Sequence, residues 1–88
     1  GMSILPTQFR SRLQINFILN QEAGIRIVVY DNVGRRVRSL VNQRLKPDRY
    51  QFTWDGRDEA GRSVAQGVYL IRVETDSQTK TTKAVYLK

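Results

Sequence analysis

The chain has 88 residues, no cysteine and no histidine, and a formal charge of +7 from 15 basic and 8 acidic side chains. That length makes one small domain, which buries roughly 60% of its extended-chain surface on folding. The missing thiol and imidazole exclude disulfide staples, thiolate chemistry, a Ser-His-Asp triad and a His- or Cys-ligated zinc site within the chain.

Residues 1–8 read as a flexible N-terminal lead. Gly1 ahead of Met2 has the look of a tag-cleavage scar, and no signal-peptide pattern is visible where Gly1-Met2-Ser3 runs into Ile-Leu-Pro, which says little about compartment. Residues 9–88 then read as a single domain of strands. Leu13, Ile15, Phe17 and Leu19 alternate with Gln14, Asn16, Ile18 and Asn20, and Ile25, Ile27 and Val29 alternate with Arg26, Val28 and Tyr30. Val37–Val41 is a shorter and less regular run. Tyr50, Phe52 and Trp54 follow, then Tyr69, Ile71 and Val73, then Lys83, Val85 and Leu87, each set separated by single intervening residues. A period of two places each set on one face of a pleated strand. No apolar run approaches the ~20 residues that span a bilayer as a helix.

Turn signals separate these runs. Gln21–Gly24 follows the first. Asp31-Asn32-Val33-Gly34 fits a type I turn closed by a left-handed glycine, and Asp58-Glu59-Ala60-Gly61 repeats that chemistry within a second DxxGRxV copy. Asp55-Gly56 forms a further turn, Pro47-Asp48 breaks the chain before Tyr50, Gly67 opens the strand at Val68, and Asp76-Ser77-Gln78 closes the last hairpin. Six or seven short strands without an amphipathic helix predict an all-β, two-layer antiparallel sandwich, with a small barrel as the alternative. Its expected core includes Phe17, Val29, Phe52, Trp54, Tyr69 and Ile71. Asp31, Gly34, Asp55, Gly56, Asp58 and Gly61 are expected to shape turns.

Three clusters invite a chemical reading. Asp55, Asp58 and Glu59 supply oxygen ligands of the kind calcium takes, but their spacing is not that of an EF-hand and Arg57 and Arg62 oppose a cation, so turn formation is the stronger reading. The same carboxylates do not make a glycosidase pair without a cleft, and no enzymatic activity is expected. Neither a metal nor another cofactor is expected. Tyr50, Phe52, Trp54 and Tyr69 alternate within strands, which favours core packing over a sugar platform, while Tyr30 and Tyr86 stand on the opposite phase as candidates for exposed aromatics. Basic residues are spread from Arg10 to Lys88, with Arg35, Arg36 and Arg38 as the one dense cluster, so a solvated basic surface is favoured over nucleic-acid binding.

The ordered set Val29-Tyr30-Asp31-Asn32-Val33-Gly34-Arg35-Arg36-Val37, Trp54-Asp55-Gly56-Arg57-Asp58 with Gly61, and Gly67-Val68-Tyr69 resembles the immunoglobulin-like domain of the flagellar hook-capping protein. It is equally similar to β-sandwich modules at the C-terminal ends of exported bacterial proteins, including the sorting domains read by the type IX secretion system. The likeness runs from Leu13 to Lys88. Lys83-Ala84-Val85-Tyr86-Leu87-Lys88 resembles the last strand of such modules. Pro6-Thr7-Gln8 stands where an Asn-Pro-rich box is common, and Pro47-Asp48-Arg49 lacks the usual glycine. The resemblance implies an immunoglobulin-like fold and an exported protein, placed in the periplasm, at the cell surface or outside the cell. It implies a non-catalytic C-terminal accessory module, similar to a sorting domain and recognised by a protein of the secretion or assembly machinery, with Gly67, Tyr69, Lys83 and Lys88 as recognition positions. A hook-cap or appendage assembly domain and a carbohydrate-adhesion module are the alternatives.

Overall fold

Alternating β-branched and aromatic residues lock into strands because each strand has one apolar face to hide and one that tolerates water. The computed structural model describes the backbone of residues 2–5 and 8–88 and the side chains from residue 8 onward. In it the chain forms β1 (Met2–Leu5), β2 (Gln8–Phe9), β3 (Leu13–Leu19), β4 (Ala23–Asp31), β5 (Arg36–Leu45), β6 (Asp48–Trp54), β7 (Gly67–Glu74) and β8 (Thr79–Tyr86). One sheet has the order β1-β3-β6 and the other β2-β8-β7-β4-β5. All pairings are antiparallel except β2 with β8, which run parallel through Gln8↔Val85 and Phe9↔Tyr86. The two sheets keep separate edges, so the fold is a sandwich of the immunoglobulin-like kind and not the alternative barrel.

The six strands read from the sequence are β3 to β8. The two others lie in or beside the segment expected to be flexible. Met2–Leu5 pairs with β3 from Met2↔Phe17 to Leu5↔Gln14, and Gln8–Phe9 lies along the end of β8. Gly1, with the expected tag scar, and Pro6 and Thr7 lie outside the described residues.

The core is assembled from the inward phase of each strand. Leu13, Ile15 and Phe17 of β3 and Trp54 of β6 face Ile25, Ile27 and Val29 of β4 and Tyr69, Ile71 and Val73 of β7. Phe52 and Tyr50, nearer the rim, are half-buried and stack on Phe17 with ring centroids 5.8 and 5.5 Å apart. Two β-bulges explain why 37–41 lacks a clean period. Val28 pairs with Ser39 while Ile27 pairs with Val41, which makes Leu40 an extra residue; Val29 pairs with Arg38 while Tyr30 pairs with Arg36, which does the same to Val37. Both extra residues pack against the core despite breaking the alternation.

The phase of β8 differs from the sequence expectation. Ala84 and Tyr86 point inward, while Lys83 and Val85 belong to the outer face. Tyr86, expected as an exposed aromatic, is only 7% exposed. Its ring stacks on Phe9 at 5.1 Å and meets Trp54 at 6.1 Å, and that aromatic contact outweighs the modest apolar preference of Val85 and Leu87 for the interior. Tyr30 does lie on the outer face, half-buried.

Trp54 is fully buried, and its indole N–H donates to the Arg57 carbonyl at 2.9 Å. Gly56 lies directly beneath Tyr86: a Cβ there would stand 2.7 Å from Tyr86 Cζ, on a backbone with φ of +75°. Trp54→Ala is therefore expected to cost about 3–5 kcal/mol by urea denaturation. Gly56→Ala combines a left-handed backbone with a steric clash and is expected to cost about 2–4 kcal/mol; Gly34→Ala, with open space around it, about 1–2 kcal/mol.

Candidate functional site

Two loops of nearly identical construction meet at one end of the sandwich. In the β4–β5 hairpin, Asp31 Oδ1 accepts hydrogen bonds from the N–H of Val33 (3.0 Å) and of Arg35 (2.9 Å). The Gly34 N–H donates to the Asp31 carbonyl at 3.0 Å, with Gly34 at φ +88°. Between β6 and β7, Asp58 Oδ1 accepts from the N–H of Ala60 and of Arg62, both at 2.9 Å, and the Gly61 N–H donates to the Asp58 carbonyl at 3.0 Å, with Gly61 at φ +81°. The following arginine closes each turn: Arg35 Nε donates to Asp31 Oδ2 at 2.8 Å, and Arg62 Nε lies 3.5 Å from Asp58 Oδ2. The DxxGR repeat is one turn built twice.

These turns are joined across the sandwich. The Glu59 N–H donates to the Val37 carbonyl at 3.1 Å, extending the β5 edge, and Arg36 pairs with Glu59 at 3.6 Å. Arg38 donates to Asp55 at 3.2 Å. Asp55 and Asp58 accept hydrogen bonds from turn N–H groups and pair with arginines, while the Glu59 carboxylate pairs with Arg36 of β5. Between the turns lies a groove of 470 Å³ lined in part by Val37, Val64 and Tyr69. The Tyr69 hydroxyl donates to the Ala65 carbonyl at 2.6 Å, four residues upstream, so the tyrosine pins the loop entering β7 to the strand.

The sequence-selected recognition positions do not form one patch. Gly67 opens β7 opposite Tyr86, and Lys88 lies beside it, its N–H donating to Gln66 Oε1 at 3.4 Å and its carbonyl accepting from Arg10 at 3.2 Å. Lys83 is exposed on the outer face, opposite Leu70. Tyr69 is 6% exposed and points the other way, into the core. Sequence reasoning passed over Lys80, three residues before Lys83 on the same strand, and the core packing of Phe9, Ala84 and Tyr86, which hold that strand in place. The Lys-Thr-Thr-Lys spacing was the available signal for the first; the others depend on partners remote in sequence.

The turn geometry sets the acid response of the domain. Backbone hydrogen bonds, from Arg35 to Asp31 and from Arg62 to Asp58, are the main reason both carboxyls titrate below their ordinary 3.8, with partial burial opposing them. A depressed folded-state pKa contributes stability that is fully present above 3.8 and is lost as pH falls through the lower folded value. Tyr69 is shifted the other way, upward from 10.0, by burial first and then by the Asp31 charge, so its contribution is present below that pH and fades above it. The Asp31→Asn, Asp58→Asn double variant is expected to lose less thermal stability than the wild type as pH falls below about 4, measured by circular dichroism melts.

A family model for the FlgD Ig-like domain matches residues 3–79, stopping at the start of β8. Among solved structures, dimeric latent PorU from Porphyromonas gingivalis superposes with a TM-score of 0.76 at 17% identity, covering 98% of this chain and 9% of that one. PorZ of the same organism, described as an essential bacterial surface component of the type-IX secretion system, gives 0.68 at 20% identity over 100% of this chain and 12% of that one. The alkylpurine DNA glycosylase AlkC of Pseudomonas fluorescens, bound to DNA with an abasic site analog, gives 0.64 at 10% identity over 100% of this chain and 29% of that one. At these identities the likenesses concern the fold alone. No curated protein matches the chain. The match over most of its length, on a sandwich with this topology, makes the chain a member of the FlgD Ig-like domain family.

Proposed function

We propose that the chain is a non-catalytic accessory module of an exported bacterial protein, a folded element that secretion or assembly machinery recognises by its surface. The observation that carries this reading is the family match over residues 3–79 on a chain that spans only 9% of PorU and 12% of PorZ, in keeping with one module among several in a larger protein. The loop chemistry supports it as well. The carboxylates that a catalytic or metal site would use are committed to turn N–H groups and arginines, and the groove between the turns is shallow and rimmed by ion pairs. Recognition would fall on Lys83 and on the end where Gly67 and Lys88 meet, with Tyr69 holding the strand behind them. This reading places the parent protein in the periplasm, at the cell surface or outside the cell, and its partner would be a protein.

The family match equally supports a hook-cap or appendage assembly domain. The glycan-binding reading loses one of its two aromatics, because Tyr86 packs inside and Tyr30 alone remains on the outer face.

Deleting the end of β8 is a poor test, because it removes Tyr86 from the core. Lys83→Ala and Lys88→Ala are cleaner, since both side chains are exposed. The domain is fused behind a signal peptide and reporter in a host with a type IX system. The double variant, with an unchanged melting temperature, is expected to lose most of the surface-displayed reporter. Display at the wild-type level would count against the sorting role and leave the assembly role.

A further inference from the structure

We infer that the outer edge of β8 is a docking rail for an extended, acidic segment of another protein, which pairs with it as an added strand. On one side β8 pairs with β7 along its full length, from Glu74↔Thr79 to Gly67↔Tyr86. On the other side, β2 covers only Val85 and Tyr86, and among the described residues nothing pairs with the outer edge of 79–84. The Leu87 N–H donates outward to the Phe9 carbonyl at 2.8 Å. By the alternation of the ladder, the N–H and C=O of Lys83, Thr81 and Thr79 point the same way and, among the described residues, lack a strand partner. An incoming strand satisfies these groups, and its alternate side chains read the two faces.

The charge of the rail selects the partner. Seven of the eight acidic residues lie within ion-pair distance of an arginine, all but Asp48. Lys80 and Lys83 have no ion-pair partner among the described residues, so they carry part of the chain's unneutralised excess. They stand on opposite faces of β8, because they are three residues apart on a strand of period two. A strand with acids three positions apart meets both.

A second copy of this chain is the poorer occupant. Antiparallel pairing of two β8 strands that keeps both cores on one side must match even with even residues. Each such register then sets Lys83 against Lys83 or Lys80 against Lys80, directly opposite or one diagonal step away. Like charges so placed repel. The same lysines guard an open edge against pairing with itself. The inference does not depend on the sorting role, since a strand partner could belong to any assembly.

The test uses a capped eight-residue peptide of alternating valine and threonine carrying two glutamates three positions apart, and a copy with glutamines in their place. Binding of the glutamate peptide to the whole domain is followed by fluorescence anisotropy and by amide shifts in a nitrogen-15 spectrum. The expected result is saturable binding that moves the amides of Thr79, Thr81 and Lys83 more than those of Lys80 and Thr82. The glutamine peptide should bind at least about tenfold more weakly, as should the glutamate peptide to Lys83→Glu. Thr81→Pro removes an outward N–H without breaking the β7 ladder, and should abolish binding at an unchanged melting temperature. Lys83→Glu alone decides the matter if the proline variant does not fold. Equal binding of the two peptides, full binding by Thr81→Pro, or no binding at millimolar peptide would overturn the proposal. So would a domain dimer in sedimentation that Thr81→Pro dissolves, which would assign the rail to a second copy.

Discussion

The junction of Trp54 with Phe9, Tyr69 and Tyr86 is the contact on which the architecture depends. Trp54 belongs to the three-stranded sheet, and the other three rings to the five-stranded one, at centroid separations of 5.5, 5.1 and 6.1 Å. In an 88-residue chain without disulfides, such aromatic area supplies a large share of the apolar burial that offsets chain entropy. The indole N–H is buried without penalty because the next turn bends back to offer the Arg57 carbonyl. Gly56 completes the arrangement by leaving room for the Tyr86 ring. The Trp-Asp-Gly sequence is thus a packing device with divided roles. Its first residue fills the core, its second turns the chain and its third clears space.

The twin aspartate turns carry out the complementary work on polar groups. A loop that reverses direction leaves backbone N–H groups without ladder partners, and each aspartate takes two of them on one oxygen while its neighbouring arginine occupies the other. The result is a rigid, self-satisfied end to the sandwich. This is why carboxylates that look reactive as a cluster in the sequence serve the turns and ion pairs of the fold.

Much of the fold was legible because its signals are local. The alternation in 13–19, 25–30, 50–54 and 69–73 reports burial directly, since a strand with one wet face needs period two. The Asp-x-x-Gly-Arg turns were legible because donor and acceptor lie within five residues. Three features were not. The bulges at Val37 and Leu40 insert residues that shift the phase of β5 partway along, so no single period describes it. The orientation of β8 is decided by Phe9 and Gly56, both remote in sequence, against the weak local preference of Val85 and Leu87. The short strands β1 and β2 gain their order from partners elsewhere in the chain. The positions proposed for recognition come one by one from resemblance, and strand alternation sends Tyr69 and Lys83 to opposite faces, which a linear motif does not display.

The parallel contact of β2 with β8 has a kinetic consequence. It joins Phe9 to Tyr86, so it closes a loop of almost the whole domain, and both residues belong to the aromatic junction. On a ribosome, β3 to β7 can begin to associate while β8 is still in the exit tunnel, but Trp54 stays without its last neighbours until Tyr86 emerges. Completion of the hydrophobic interior is thereby tied to synthesis of the domain's final strand. A nascent chain halted before that point keeps an open, greasy seam of the kind that quality-control proteases and chaperones engage.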